Sequence, residues 1–294
     1  MKKVLLTGGT GLIGKETLRP LLERGFEVYG ITIDENNPKE NVHWIKGNLF
    51  DEQFVSKVMK EICPEYLLNL AWIVTGDYIN SNTNFDCLKA GIHLLEEFVK
   101  NGGKRCVFTG SCFEYAFQNT PIKETDPLNP LGVYGLTKNW FNQIASCYCK
   151  NNAISFAWGR IFNVFGRREN PKRLTPYIIN TLHENKQVVI KAGPLVKDYI
   201  YAKDVAGALV ALLDSAVMGN VNICTGQAIS LRDFAMMIAK KLNKVELLLF
   251  QENIYPTNQP LVCIGDNTRL IKEVGYTPKY TIEQAIDEVL RERE

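Results

Sequence analysis

Val4-Leu5-Leu6-Thr7-Gly8-Gly9-Thr10-Gly11-Leu12-Ile13-Gly14 opens with a short apolar run that closes on glycines. A run of that length bounded by turn residues suits a buried strand. Helical spacing follows from Leu12 to Arg24, with Leu18, Leu21 and Leu22 on one side and Pro20 expected to bend it. Gly8, Gly11 and Gly14 therefore fall at a strand-to-helix junction. Glycines there allow a tight turn and a close approach to a pyrophosphate, whose charge the helix N-terminus meets. Such a turn can also serve packing alone. Its place at the first strand-helix junction favours a dinucleotide cradle built from Gly8, Thr10, Gly11, Leu12, Ile13 and Gly14.

Outward from this turn the pattern repeats. Strands are expected at Phe26 to Ile33, Val42 to Lys46, Tyr66 to Ala71, Arg105 to Thr109 and Ile154 to Ile161. Helices are expected between them at Gln53 to Ile62, Asn84 to Lys100 and Tyr134 to Asn151. Alternation of this kind predicts an α/β fold, a Rossmann-type doubly wound parallel sheet. The pattern fades after Gly166, and the stretch to Lys197 is richer in Pro and Arg, as in an insertion away from the sheet. Beyond it come a helix at Val205 to Leu213, a strand at Val221 to Cys224, and helices at Leu231 to Leu242 and Ile282 to Arg291. The expected division is a dinucleotide-binding domain over 1–165 plus about 198–224, with a smaller interleaved substrate lobe from 166–197 and 225–294.

Composition excludes several classes. A net charge of +2 gives no electrostatic case for nucleic acid or a membrane surface. No apolar stretch approaches the roughly 18 residues of a membrane span, and the apolar run after Lys3 is too short for a signal peptide. The eight cysteines lack paired or metal-ligand spacing, so no metal is expected and scattered thiols in a reducing cytoplasm are. His43, His93 and His183 are isolated and are read as satisfied polar or surface residues.

Leu131-Gly132-Val133-Tyr134-Gly135-Leu136-Thr137-Lys138 carries the candidate chemistry. A tyrosine with a pKa near 10 is a poor acid-base at neutral pH unless its surroundings change. Residues four apart share a helix face, so Lys138 can bring its ammonium near the Tyr134 phenol and favour phenolate. Ser111, after the strand ending at Thr109, is the candidate to hold the substrate oxygen; Thr109 and Cys112 are lesser rivals. The bland alternative is a helix-start aromatic and a solvated surface charge. The adenosine-ribose partner belongs about 20 residues past the glycines, at the end of the second strand. Asp34 at the tip would favour NAD, whereas Thr32 at the tip would tolerate a 2′-phosphate and open the way to NADP.

The combination resembles the extended short-chain dehydrogenase/reductase family, in particular its nucleotide-sugar epimerase/dehydratase group, over nearly the whole chain. Asn48-Leu49 with Asp51 is similar to the family's Asp-Leu segment near the adenine, with Asn in place of Asp. Asn69-Leu70-Ala71-Trp72 is similar to a cofactor-lining strand end in which Trp72 replaces a second Ala, and Asn84 to the Asn of the next helix. Gly110 to Tyr115 resembles the Ser-bearing segment, and Arg160-Ile161-Phe162-Asn163-Val164-Phe165-Gly166 the R-x-F-N-V-x-G stretch. Lys197 to Val205 and Gly275-Tyr276-Thr277-Pro278 resemble two further family segments.

The resemblance implies cofactor contacts from Leu70, Ala71, Trp72, Asn84, Tyr134, Lys138 and Ile161, and substrate contacts from Tyr78, Ser111, Cys112, Asn163, Arg173 and Lys197. Trp72 and Tyr78 would edge the nicotinamide and sugar pocket. Family 4,6-dehydratases place Asp-Glu after the catalytic hydroxyl; Cys112 and Phe113 stand there, and Glu114 comes one place late, facing another way on an extended segment. A dehydratase is therefore not expected. A 4-ketoreductase of a nucleotide-linked 4-keto-6-deoxysugar is, with NADP(H) ahead of NAD because similar reductases use NADPH. An NAD-dependent 4-epimerase is the alternative, and a non-catalytic NADP-binding regulator a more distant one. The segment 255–259 lacks a second Arg for the diphosphate, a role left to Arg173. Asp204 is expected to cap the helix from Val205, and helices Asn84 to Lys100 and Tyr134 to Asn151 to form a homodimer through a four-helix bundle.

Overall fold

The computed structural model describes residues 2–35, 37, 41–191, 195–251 and 260–291. Strand β1 (Lys2–Thr7) leads through the glycine turn into α1 (Gly14–Glu23), followed by β2 (Phe26–Thr32), β3 (His43–Lys46), α2 (Glu52–Ile62) and β4 (Tyr66–Asn69). Next come α3 (Thr83–Lys100), β5 (Arg105–Ser111), a 3₁₀ turn at Cys112–Glu114, α4 (Gly132–Asn151), β6 (Ser155–Ile161) and β7 (Asn163–Phe165). The remainder holds α5 (Leu174–His183), β8 (Val188–Lys191), β9 (Val196–Lys197), β10 (Tyr199–Tyr201), α6 (Ala202–Leu213) and β11 (Gly219–Ile223). It closes with β12 (Ile229–Ser230), α7 (Leu231–Lys241), β13 (Leu248–Gln251), β14 (Val262–Cys263), α8 (Thr268–Lys272) and α9 (Ile282–Arg291).

Seven strands form one parallel sheet in the order β11-β6-β5-β4-β1-β2-β3. The expected Rossmann-type doubly wound sheet is present. Successive residues of β1 serve opposite faces, as strand geometry demands. Val4 and Leu6 join the core under α1 and α6, while Leu5 joins the core under α2, α3 and α4. Both faces are thus covered, which accounts for the unbroken apolar run. The order of strand addition reverses at β1, with β2 and β3 on one side and β4, β5 and β6 on the other, so the carboxyl ends of β1 and β4 border a crevice.

A second core joins α5, α7 and α9, with Ile178, Leu182, Phe234, Ile238, Ile286 and Val289 buried together. Leu270 and Tyr276, assigned to the smaller lobe from sequence, pack instead in the first core. The described residues of the 166–197 stretch lie outside the main sheet: β8 pairs with β13, and β9 with β12 and β14. Two boundaries matter for the site. Strand β5 runs to Ser111 rather than stopping at Thr109, and α4 starts two residues before Tyr134. Among the described residues no helix is long and apolar enough to cross a membrane, and no cluster could hold a metal ion.

Asp204 corrects an expectation. The cap of α6 is Tyr201, and Asp204 lies in its first turn, 1% exposed. Its carboxylate accepts from the Tyr276 hydroxyl (3.0 Å) and from the Lys279 and Tyr280 amides (2.7 and 3.1 Å). It therefore ties the C-terminal segment to α6 instead of capping the helix. Cys147 is exposed and Cys149 buried, as their two-residue spacing on α4 predicts.

Candidate active site

Gly8 adopts φ +69°, and a Cβ there would lie 2.8 Å from the Ala71 nitrogen, so only glycine lets the β1 turn press against the end of β4. The turn closes with the Gly11 amide donating to the Gly8 carbonyl at 3.0 Å. Helix α1 follows without a side-chain cap at Ile13; its Lys15 and Glu16 amides donate to the Gly11 and Ile13 carbonyls at 3.2 and 3.0 Å. Beside it opens a cavity of about 430 Å³. Gly8, Thr10, Gly11, Leu12, Ile13, Gly14, Thr32, Asn48, Leu49, Leu70, Ala71 and Trp72 line it, all expected at a cofactor. An uncapped helix start over a crevice, with a turn that admits no Cβ, fits a dinucleotide pyrophosphate.

Asp34, Ile161 and Asn84, also expected at the cofactor, lie elsewhere. Thr32 is the last residue of β2 and only 4% exposed, and its hydroxyl accepts from the Asp34 amide at 3.0 Å. Asp34 is thereby turned past the strand tip, exposed and off the cavity wall. Ile161 is buried among the sheet residues and does not line the cavity. Asn84 is fully buried; its amide nitrogen donates to the Tyr78 and Ser81 carbonyls (2.7 and 2.8 Å), and its oxygen accepts from the Trp72 indole (2.8 Å). It reaches the cavity only through Trp72. Sequence reading missed Cys87, Ala90, Gly91 and Leu94 of α3, which line the cavity. Their small size and helical spacing resemble ordinary core, and no local signal marks them.

Ser111, Tyr134 and Lys138 come together from β5 and α4. The Tyr134 amide donates to the Ile79 carbonyl (2.9 Å) and the Leu131 amide to Phe113 (2.8 Å), which pins the start of α4 to two loops. The Tyr134 ring meets Tyr78 edge-on at 5.1 Å, with Phe113 and Trp72 at 6.2 and 6.4 Å. Burial among these rings pushes the phenol well above its ordinary value, the neighbouring Tyr78 adds to that, and a hydrogen bond with Ser111 opposes it.

Lys138 is 3% exposed. Its amine donates to the Thr109 carbonyl at 2.7 Å and stands 3.8 Å from the centre of the Trp72 ring. Burial pushes it down to about 7, against the pull of Glu114 and Cys87 toward the ammonium. The indole face favours the cation too. The amine stands 6.0 Å from the Tyr134 ring centre while it is engaged with Thr109 and Trp72.

On the substrate side, Tyr78 is half-buried against Tyr134, and Cys112 is 3% exposed behind Ser111. Arg173 lines the cavity, with its Nε held by Glu169 at 2.9 Å. The Asn163 side chain donates to the Asp198 carbonyl (3.1 Å) beside the β7–β10 pair. Lys197 is half-buried in β9, and burial holds its amine below the ordinary lysine range. Segment 255–259 lies outside the described residues.

Residues 4–224 match the model of the NAD dependent epimerase/dehydratase family. The chain belongs to that family. A dTDP-4-dehydro-6-deoxyglucose reductase of Escherichia coli is 25% identical over 98% of this chain and 96% of its own length. A UDP-glucose 4-epimerase of Bacillus subtilis is 26% identical over 96% and 94%. Among solved structures, the UDP-glucose 4-epimerase of Thermus thermophilus in complex with NAD superposes with a TM-score of 0.84 at 24% identity, covering 98% of this chain and 99% of that one. Family membership makes the chain an NAD-dependent enzyme of the extended short-chain dehydrogenase/reductase type and agrees with the resemblance read from its motifs.

Proposed function

We propose that the protein is an NAD(P)H-dependent reductase of the C4 keto group of a nucleotide-linked 4-keto-6-deoxysugar. A bound nicotinamide dinucleotide supplies the hydride. The glycine turn and the α1 N-terminus would hold its pyrophosphate, Asn48 and Leu49 its adenine end, and Lys138 and Trp72 its nicotinamide end. Tyr134 holds its proton firmly and donates it from Oη to the substrate oxygen, while the Ser111 hydroxyl orients that oxygen. Arg173, with Lys197 and Asn163, meets the diphosphate.

The observation that carries the choice of reaction is the surroundings of Ser111. Cys112 is buried, Phe113 has no ionisable group, and the Glu114 carboxylate is paired with Arg160 at 2.9 Å. Among the described residues no acid-base pair stands beside the hydroxyl to eliminate water, which favours hydride and proton exchange at C4. The full-length match to a 4-ketosugar reductase supports the same reading. The similar match to a 4-epimerase supports the alternative, in which NAD stays bound and no reduced cofactor is consumed.

For the cofactor, Thr32 at the strand tip with Asp34 turned outward supports acceptance of a 2′-phosphate, hence NADP(H). We also propose a homodimer through α3 and α4, which expose Phe85, Trp140 and Ile144. The functional test is oxidation of NADPH and NADH against a panel of nucleotide-linked 4-ketosugars, with products identified by NMR. Stoichiometric NADPH consumption supports the reductase; isomerised product without net oxidation assigns the epimerase.

A further inference from the structure

Glu114 is completely buried, three residues past Ser111, on a 3₁₀ turn rather than on the extended segment expected. Its carboxylate accepts from the Ser111 amide (2.8 Å), the Trp158 indole (3.0 and 3.2 Å) and the Arg160 Nε (2.9 Å). Arg160, 1% exposed, also lies 4.5 Å from the Tyr115 ring centre. A buried ion pair holds only when further hydrogen bonds satisfy both partners, as they do here.

Two features tie this pair to the reaction centre rather than to general packing. A Cβ on Gly110 would fall 2.0 Å from the Trp158 indole nitrogen and 2.3 Å from the Glu114 carboxylate, so glycine beside Ser111 lets the carboxylate reach under the strand end. The Ser111 hydroxyl accepts from the Phe113 amide at 3.2 Å, and together with the Ser111 amide to Glu114 this fixes both ends of that residue. The same Trp158 ring that donates to Glu114 has its centre 6.0 Å from the Lys138 amine.

Resting on the reductase reading, we infer that Glu114 is a positioning residue: anchored by Arg160 and Trp158, it holds the Ser111 turn beside Tyr134 and places a buried negative charge within electrostatic reach of Lys138. The titratable groups that act on Lys138 are Glu114 from the turn and Cys87 from α3, beside the Tyr134 ring on its own helix, the Trp72 face and the Thr109 carbonyl. Those that act with Glu114 are Arg160 from β6 and Tyr115 beside it. The competing account is an ion pair that only stabilises the fold.

Two measurements on Glu114→Gln separate these accounts. The first is NADPH oxidation with dTDP-4-keto-6-deoxyglucose, where kcat should fall at least about tenfold while KM stays within about threefold. The second needs no substrate: ¹⁵N NMR titration of the Lys138 amine, which should lose its proton about one pH unit lower, a tenfold change. Unchanged kcat, or a Lys138 titration that does not move in the folded variant, overturns the proposal. If the wild-type protein reduces no ketosugar, the reductase reading fails alone and the titration still decides for Glu114. If Glu114→Gln does not fold, Glu114→Gln/Arg160→Met, which removes both buried charges, carries the same two measurements.

Discussion

Lys138 gives the site a pH dependence near neutrality. Its amine is held down to about 7 by burial, so the ammonium is present below that pH and lost above it. Tyr134 cannot produce such a limb, because burial pushes its phenol the other way. At pH 8.5 the ammonium fraction would be roughly 3%, about fifteenfold below its share at pH 7, taking one pH unit as tenfold. If the ammonium grips the nicotinamide ribose, kcat/KM for NADPH, which reports the free enzyme, should be level below pH 7 and fall toward tenfold per unit above it. The assay is the pH profile from 5.5 to 9 of wild type and Lys138→Met, with the variant low and level throughout. A level wild-type profile across that range, or a limb that survives in Lys138→Met, would refute the reasoning.

Other substitutions probe the frame around that amine. Gly8→Ala forces a Cβ against Ala71 in a left-handed turn; it should destabilise the fold by about 1–3 kcal/mol and abolish NADPH binding, read by thermal melt and fluorescence titration. Asp204→Ala removes one acceptor from three donors, a hydroxyl and two amides. A loss of about 2–4 kcal/mol is expected in urea unfolding, with NADPH affinity of the folded protein retained. Ile144→Glu puts a charge on the exposed apolar face of α4; the homodimer proposed through α3 and α4 predicts, by light scattering after gel filtration, a dimer for the wild type and a monomer for the variant.

What the sequence revealed and what it hid follow from how far each interaction reaches along the chain. The glycine turn, the alternating strands and the Tyr134/Lys138 spacing are local patterns, and each is legible from neighbouring residues. Asp204 looked like a helix cap because its partners, Tyr276, Lys279 and Tyr280, lie more than 70 residues away. The partners of Glu114 are hidden for the same reason: its turn is local, but Arg160 reaches it across 46 residues. Spacing alone brings Lys138 to Tyr134 and names no other neighbour. The Trp72 face and the Thr109 carbonyl that receive it come from two other strand ends, so its low proton affinity could not be read from spacing.

The central claim is that the Tyr134 hydroxyl delivers a proton to a sugar carbonyl beside a reduced nicotinamide. The most direct measurement compares single-turnover NADPH oxidation by wild type and Tyr134→Phe with a nucleotide-linked 4-ketosugar. A fall of roughly 10²–10⁴ in the rate, with NADPH binding unchanged, is the predicted result. A Tyr134→Phe variant that oxidises NADPH as fast as wild type would contradict it.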